Sequence, residues 1–146
     1  MDPSDPAAAV RGATQRLGRR LRAERPPDGL PVLKLSILAR LLDNGPMTAG
    51  ELARTGRTTP QALTRSIDGL VRDGLAVRER AAWDKRQHVL TITSTGLAAL
   101  DKDAAPRDAW LDRAMAELLT PAERQLLAVA AGLLTRLAEF EAGAAR

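Results

Sequence analysis

The chain has 146 residues, no cysteine and one histidine, and its 22 lysines and arginines against 18 acidic residues give a formal charge of +4. That length suits a single domain that buries roughly 68–70% of its unfolded surface without help from disulfides. The missing cysteines exclude thiol catalysis, cysteine-ligated zinc and thiol redox sensing, and the lone His88 leaves no multi-histidine metal centre, so neither metal nor cofactor is expected.

The opening run MDPSDPAAAVRG has no basic stretch followed by an apolar one, and nowhere do 18 apolar residues run together. A cytoplasmic protein without a membrane partner is therefore expected. Val10, Ala13, Leu17 and Leu21 are spaced for an amphipathic helix over 7–24, which Pro26 and Pro27 end. A second helix is predicted over 32–43, with Leu35, Leu38 and Leu42 on one side and Ile37 and Leu41 beside them, and Asn44-Gly45-Pro46 stops it. Thr48-Ala49-Gly50-Glu51 has capping-box spacing and opens a short helix over 49–55. Gly56 suits a left-handed helix end, Thr58 and Thr59 offer caps, and Pro60 takes the first position of a new helix that runs to Gly74. Its stripe of Leu63, Ile67, Leu70 and Val71 leaves Gln61, Thr64, Arg65, Asp68 and Arg72 on the opposite face.

After Gly74 the period changes from 3.6 to 2, which predicts antiparallel strands over 75–81 and 88–92. In the second, Leu90 and Ile92 alternate with Val89, Thr91 and Thr93, and the polar, basic run Trp83-Asp84-Lys85-Arg86-Gln87 joins the two strands. A helix from Thr93 or Ser94 to about 118 is expected to break or bend near Pro106. Thr120-Pro121-Ala122-Glu123 then caps a last helix over 121–142, with Leu126, Ala130, Leu133, Leu137 and Phe140 in a stripe. Net charge divides along similar lines: +3 over 1–25, zero over 26–47, +3 over 48–93 and −2 over 94–146. A basic middle and an acidic end suggest that one part of the chain faces a polyanion and another does not.

Two short helices joined by a tight turn and followed by a hairpin with a basic tip make a winged helix-turn-helix. The expected class is mainly α with a small β-hairpin wing, a winged helix-turn-helix lobe joined to a helical dimerisation region. A helix reads the major groove when one face is anchored and the other carries hydrogen-bonding groups, and residues 60–73 divide in that way. Arg65 matches guanine O6 and N7, Gln61 matches adenine N6 and N7, and Thr59 and Thr64 suit a phosphate or a thymine methyl. Lys85 or Arg86 would lie at the backbone or in the adjacent minor groove. Ordinary solvated side chains on a helix surface use the same residue types. No nucleophile with its base, Gly-rich phosphate loop or set of metal ligands stands at useful spacing, so an enzyme is not expected.

The runs Gly50-Glu51-Leu52-Ala53-Arg54, Thr59-Pro60-Gln61-Ala62-Leu63-Thr64-Arg65, Asp73-Gly74-Leu75, Asp84-Lys85-Arg86-Gln87 and Leu90-Thr91-Ile92-Thr93 with Gly96 resemble the MarR family of bacterial transcription regulators over residues 48–96. The resemblance implies one MarR-like domain over 1–146, with dimerisation helices at 7–24 and 94–146 and a DNA-binding lobe at 32–93. It implies a homodimer that binds double-stranded DNA at a palindromic operator, most simply as a repressor. Thr59, Gln61, Thr64 and Arg65 would contact DNA, and Asp84, Lys85 and Arg86 would form the wing contact. It further implies a small aromatic or phenolic effector between the dimer helices and the DNA-binding lobe, where Leu17, Arg20, Leu21, Ser36, Arg40 and Trp110 are candidate lining residues by position. Leucine-rich stripes in the first and last helices also favour a dimer, which would set two recognition helices ~34 Å apart, one DNA turn. The competing reading is a winged-helix protein-interaction module that does not read DNA, favoured by the neutral tip Ala81-Ala82-Trp83.

Overall fold

The computed structural model describes residues 5–55 and 58–140. In chain order the elements are α1 (Pro6–Ala23), α2 (Val32–Asn44), β1 (Met47–Thr48), α3 (Ala49–Thr55), α4 (Pro60–Arg72), β2 (Ala76–Arg80), β3 (His88–Ile92), α5 (Ser94–Leu118) and α6 (Pro121–Ala138). The expected mainly helical class with a small wing is what the chain adopts. The last helix, expected over 121–142, ends at Ala138 with Glu139 as its C-cap. Gly56, expected to form the turn before α4, and positions 141 and 142 lie outside the described residues.

The contacts divide the chain into two compact units, Met1–Arg107 and Asp108–Arg146. The first holds α1 to α4, the sheet and the beginning of α5. Its core gathers Ile37, Leu38 and Leu41 from α2, Leu52 from α3, and Leu63, Ile67 and Leu70 from α4, closed by Leu75, Ala76 and Leu90. Each of these larger aliphatic side chains is worth about 1.5–3 kcal/mol when fully buried. The buried stripe of α2 is rotated from the one expected. Ile37, Leu38 and Leu41 are inside and Leu42 is 54% exposed, because α4 and β3 approach α2 from the side of Ile37 and Leu41.

The junction between α4 and the wing is built by Gly74. It takes φ 72°, the left-handed region that costs glycine nothing. Its N–H donates to the Val71 carbonyl (3.1 Å) while Leu75 N–H donates to the Leu70 carbonyl (2.9 Å), the paired bonds of a Schellman motif. Leu70 and Leu75 are then both delivered to the core. The sheet has three strands in the order β1-β3-β2, all antiparallel, with Met47 opposite Leu90 and Arg78 opposite Leu90 from the other edge. Strand β1, two residues long, was not expected, since so short a segment shows no period. Val89 and Leu90 are both buried, so burial does not simply alternate along β3. As the middle strand it has neighbours on both edges.

At the start of α5, Thr93 Oγ1 donates to the Gly74 carbonyl (2.7 Å) and accepts from Gly96 N–H (3.0 Å). One helix runs through Pro106 from Ser94 to Leu118, so of the break or bend expected there the break does not occur. Proline removes only its own N–H donor, and the turns on either side retain theirs. The second unit contains the end of α5 and α6. A capping box opens α6: Glu123 N–H donates to Thr120 Oγ1 (3.3 Å) and Thr120 N–H donates to Glu123 Oε2 (2.8 Å). Among the described residues no helix is long and apolar enough to cross a membrane.

Candidate nucleic-acid interface

The face of α4 turned away from the core carries Gln61, Thr64, Arg65, Asp68 and Arg72, all exposed. Leu63, Ile67, Gly69 and Leu70 anchor the other face. Thr59 is the N-cap. Its hydroxyl oxygen accepts from Ala62 N–H (3.2 Å), so its own O–H remains a donor toward solvent. Thr64 differs, since its O–H donates back to the Pro60 carbonyl (2.9 Å), leaving a methyl group and an acceptor outward. Of the two threonines, Thr59 therefore suits a phosphate and Thr64 a thymine methyl.

The wing tip is organised by Asp84. Its Oδ1 accepts from Arg86 N–H (2.9 Å) and its Oδ2 from the Gln87 amide (3.4 Å), while Gln87 N–H donates to the Asp84 carbonyl (3.0 Å). Ala81 N–H closes the loop on the Gln87 carbonyl (2.9 Å). The carboxylate of Asp84 thus shapes the turn, and Lys85 and Arg86 are left exposed at its end. Trp83 is 65% exposed beside them.

An ion pair that no local sequence rule predicts connects α4 to the wing. Arg78 Nη2 on β2 donates to Asp68 Oδ1 on α4 at 2.9 Å. The ten-residue separation follows no local rule, so only the register of β2 against α4 brings the pair together. A second tie, Lys34 Nζ to Asp73 Oδ2 at 2.8 Å, holds α2 to the end of α4. The Lys34 ammonium keeps the Asp73 carboxyl below its usual range. In the cap of α3, Thr48 N–H donates to Glu51 Oε2 (2.7 Å) and Glu51 N–H donates to Thr48 Oγ1 (3.2 Å). The hydrogen bonds from the Thr48 amide and hydroxyl lower the Glu51 pKa.

Of the six candidate effector residues, five lie in the first unit and Trp110 in the second. Ser36 lines an open cavity of about 450 Å³ in the first unit, together with Arg22, Arg25, Leu35, Leu100 and Arg107. Arg40 is directed elsewhere: its guanidinium donates to the carbonyls of Leu52 (2.9 Å) and Glu51 (3.4 Å). Arg20 pairs with Glu24, Leu17 is 41% exposed, Leu21 is half-buried, and Trp110 falls in the second unit. At the cavity wall Asp103, 3% exposed, accepts from Arg25 (3.0 Å) and from Arg107. Arg25 Nε is buried and has no hydrogen-bond partner among the described residues. The Asp103–Arg107 pair was readable as an i, i+4 spacing. Arg25, 78 residues away, was not.

Comparison with known proteins bears on the family and the fold. A sequence model described as the MarR family matches residues 28–87. The HTH-type transcriptional regulator MT0903.1 of Mycobacterium tuberculosis is 32% identical over 127 residues, which cover 87% of this chain and 88% of that protein. The HTH-type transcriptional repressor YetL of Bacillus subtilis is 34% identical over 76 residues, 51% of this chain and 46% of YetL. The crystal structure of a transcriptional regulator protein from Pseudomonas aeruginosa PA01 superposes with a TM-score of 0.77 at 38% identity, covering 92% of this chain and 94% of that one. With a capped recognition helix and a basic wing in one unit, the chain belongs to the MarR family of helix-turn-helix transcriptional regulators.

Proposed function

We propose that the protein is a homodimeric repressor that binds an inverted-repeat operator and releases it when a small aromatic or phenolic molecule binds. The observation that carries the DNA reading is the division of α4: four anchored positions on one face, Gln61 and Arg65 exposed on the other, and Lys85 and Arg86 exposed on a wing tied to the same helix. In this reading Arg65 and Gln61 contact base edges, Thr59 a phosphate, and Arg86 the minor groove or its backbone. Asp84 acts by shaping the turn that presents Arg86.

Dimerisation is favoured by the apolar surface at the ends of the chain. Helix α1 buries none of its residues, Leu126, Val129, Leu133 and Leu137 follow a helical stripe along α6 at exposures of 51% or more, and Phe140 just beyond the helix is exposed as well. A stripe of that kind needs a partner surface, and a two-fold dimer supplies one. The repressor reading draws support from YetL, named as a repressor. For the effector, the cavity beside Arg25 offers apolar walls and a buried N–H donor without a partner. The exposed Trp83 favours a second reading, a winged module that binds another protein.

Selection of bound duplexes from a random DNA pool tests the reading. A dimeric repressor enriches a palindrome whose half-sites lie ~34 Å apart, centre to centre. An interaction module enriches nothing and shows only weak, sequence-independent retention.

A further inference from the structure

Helix α1 carries five arginines, Arg11, Arg16, Arg19, Arg20 and Arg22, all exposed, and no acidic residue. At 3.6 residues per turn, Arg11, Gln15 and Arg19 form one row along the helix and Ala8, Gly12, Arg16 and Arg20 the next, on the side away from the row of Ala13, Leu17 and Leu21. A partner protomer seated on that apolar row leaves the basic rows open. Between the two basic rows lies a shallow groove of about 240 Å³, lined by Ala8, Arg11, Gly12, Gln15, Arg16 and Arg19.

The acids at the two ends of the helix are already engaged. Asp5 caps it by accepting from Ala7 N–H (3.0 Å), and Glu24 pairs with Arg20. Arg11, Arg16 and Arg19 have no carboxylate partner among the described residues. Arg16 stands three residues from Arg19 and four from Arg20, spacings at which like charges repel on a helix surface. Glycine, a poor helix former, occupies positions 12 and 18. At each, a Cβ would meet the guanidinium of the arginine four residues on, Arg16 Nη1 at 3.3 Å and Arg22 Nη1 at 3.4 Å. The helix thus keeps repelling pairs and two unfavourable residues while holding arginines close against its surface, and a polyanion on this face offsets that loss.

This face lies apart from the reading surface. Ile37, Leu38 and Leu41 turn one side of α2 to the core shared with α4, whereas Val32, Leu35, Ser36 and Ala39 on its other side line the cavity that Arg22 and Arg25 reach from the end of α1. A duplex on the outer face of α4 therefore has α4 and α2 between it and the end of α1. The row from Arg11 to Arg19 spans ~12 Å, more than one small anion covers, and the guanidinium forks match phosphate oxygens. A lipid surface fits less well, because α1 has no aromatic residue and Leu21 of its apolar row is already half-buried. A regulator seated on its operator also meets flanking DNA at a high effective concentration.

We propose that the arginine face of α1 holds the phosphate backbone of a second DNA segment, distinct from the operator under α4, so that one regulator ties two duplexes together. The inference rests on the DNA-binding reading above and adds to it a second DNA surface.

The test loads the full chain onto an immobilised operator duplex recovered from the random-pool selection, washes away excess protein and offers a fluorescent duplex of unrelated sequence. Wild type is expected to retain the second duplex, and with three arginines on phosphates its affinity should fall roughly fortyfold between ~50 and ~200 mM salt. The neutral variant, Arg11→Gln with Arg16→Gln and Arg19→Gln, keeps good helix formers at these positions. It should hold the operator as wild type does and lose about tenfold or more in affinity for the second duplex at ~50 mM salt. Arg11→Lys with Arg16→Lys and Arg19→Lys keeps the charge and should restore most of that affinity. The proposal is overturned if the neutral variant retains the second duplex like wild type, or if its operator affinity falls in parallel, since the arginines then touch the operator itself. It is equally overturned if light scattering shows that the neutral variant no longer forms the assembly of wild type, or if wild type binds phosphatidylglycerol vesicles and not the second duplex. In each of these cases wild type still binds its operator and the DNA-binding reading stands. If no operator is enriched or bound, both fall together.

Discussion

Gly96→Ala separates local helix preference from tertiary fit. Inside an ordinary helix the change would stabilise by up to about 1 kcal/mol, because glycine is the poorer helix former. Here a Cβ on residue 96 would lie 2.1 Å from the Leu75 carbonyl oxygen, 3.1 Å from its carbonyl carbon and 2.8 Å from Ile92 Cγ1. The backbone must open by about 0.9 Å merely to reach 3.0 Å, below which real Cβ contacts essentially never fall. The same Leu75 carbonyl accepts from Thr93 N–H (3.1 Å), so moving it strains the joint among α4, the wing and α5. Overpacking of this kind costs about 1–3 kcal/mol and the weakened hydrogen bond about 1 more, against a propensity gain of up to about 1. A net loss of about 1–3 kcal/mol follows, or a fall in Tm of roughly 3–10 °C for a chain of this size. Thermal and urea unfolding followed by circular dichroism measure it, with Gly50→Ala as control, since the nearest atom to that Cβ is Thr48 Oγ1 at 3.9 Å. A Gly96→Ala protein as stable as wild type would refute the reasoning.

Arg65→Ala is expected to lose about 1–3 kcal/mol of specific binding and to relax base choice at one operator position; a competition assay with single-base operator variants checks this, and equal weakening on every sequence would make Arg65 a phosphate contact. Arg86→Ala should weaken binding across sequences and reduce the slope of log affinity against log salt by about one, read from titrations at several salt concentrations. Asp103→Ala leaves Arg25 and Arg107 facing each other without their shared carboxylate. The cost is about 3–5 kcal/mol by denaturant unfolding, and a loss below 1 would show that water replaces the carboxylate. For acid stability, the pKa values of Glu51 and Glu123 are lowered from 4.5 and that of Asp73 from 3.8 in the folded chain. Groups depressed on folding contribute stability above their unfolded values and lose it as pH falls through the folded ones. Unfolding measured from pH 5 downward should therefore show stability declining, and Glu51→Gln should make that decline shallower.

What could be read from the sequence was whatever local chemistry decides. The two capping boxes, at Thr48 and Thr120, form with the expected partners because each needs only four consecutive residues. The stripe of α4 is similarly plain, since Leu63, Ile67 and Leu70 repeat at helical spacing and all go inside. Where neighbours far along the chain decide, the sequence was silent or misleading. The inward face of α2 depended on where α4 and β3 approach, so Leu42 was assigned to a stripe it leaves. Asp68 was assigned to the open face of α4, and nothing local linked it to Arg78 on β2. Likewise nothing local tells that the guanidinium of Arg40 meets the carbonyls of Glu51 and Leu52 in the middle of the short α3.

Strand β3 pairs with β1, which runs directly into α3, and with β2, which follows α4. The stretch from Met47 to Ile92 therefore leaves and rejoins the rest of the chain through neighbouring strands, about 4.8 Å apart. That makes it a cassette. The segment between α3 and α4 and the loop at the wing tip both fall within it in sequence. Their length and composition can change while the points joined to α2 and α5 stay where they are. A lineage can in this way vary these two segments without rebuilding the helices that flank the cassette.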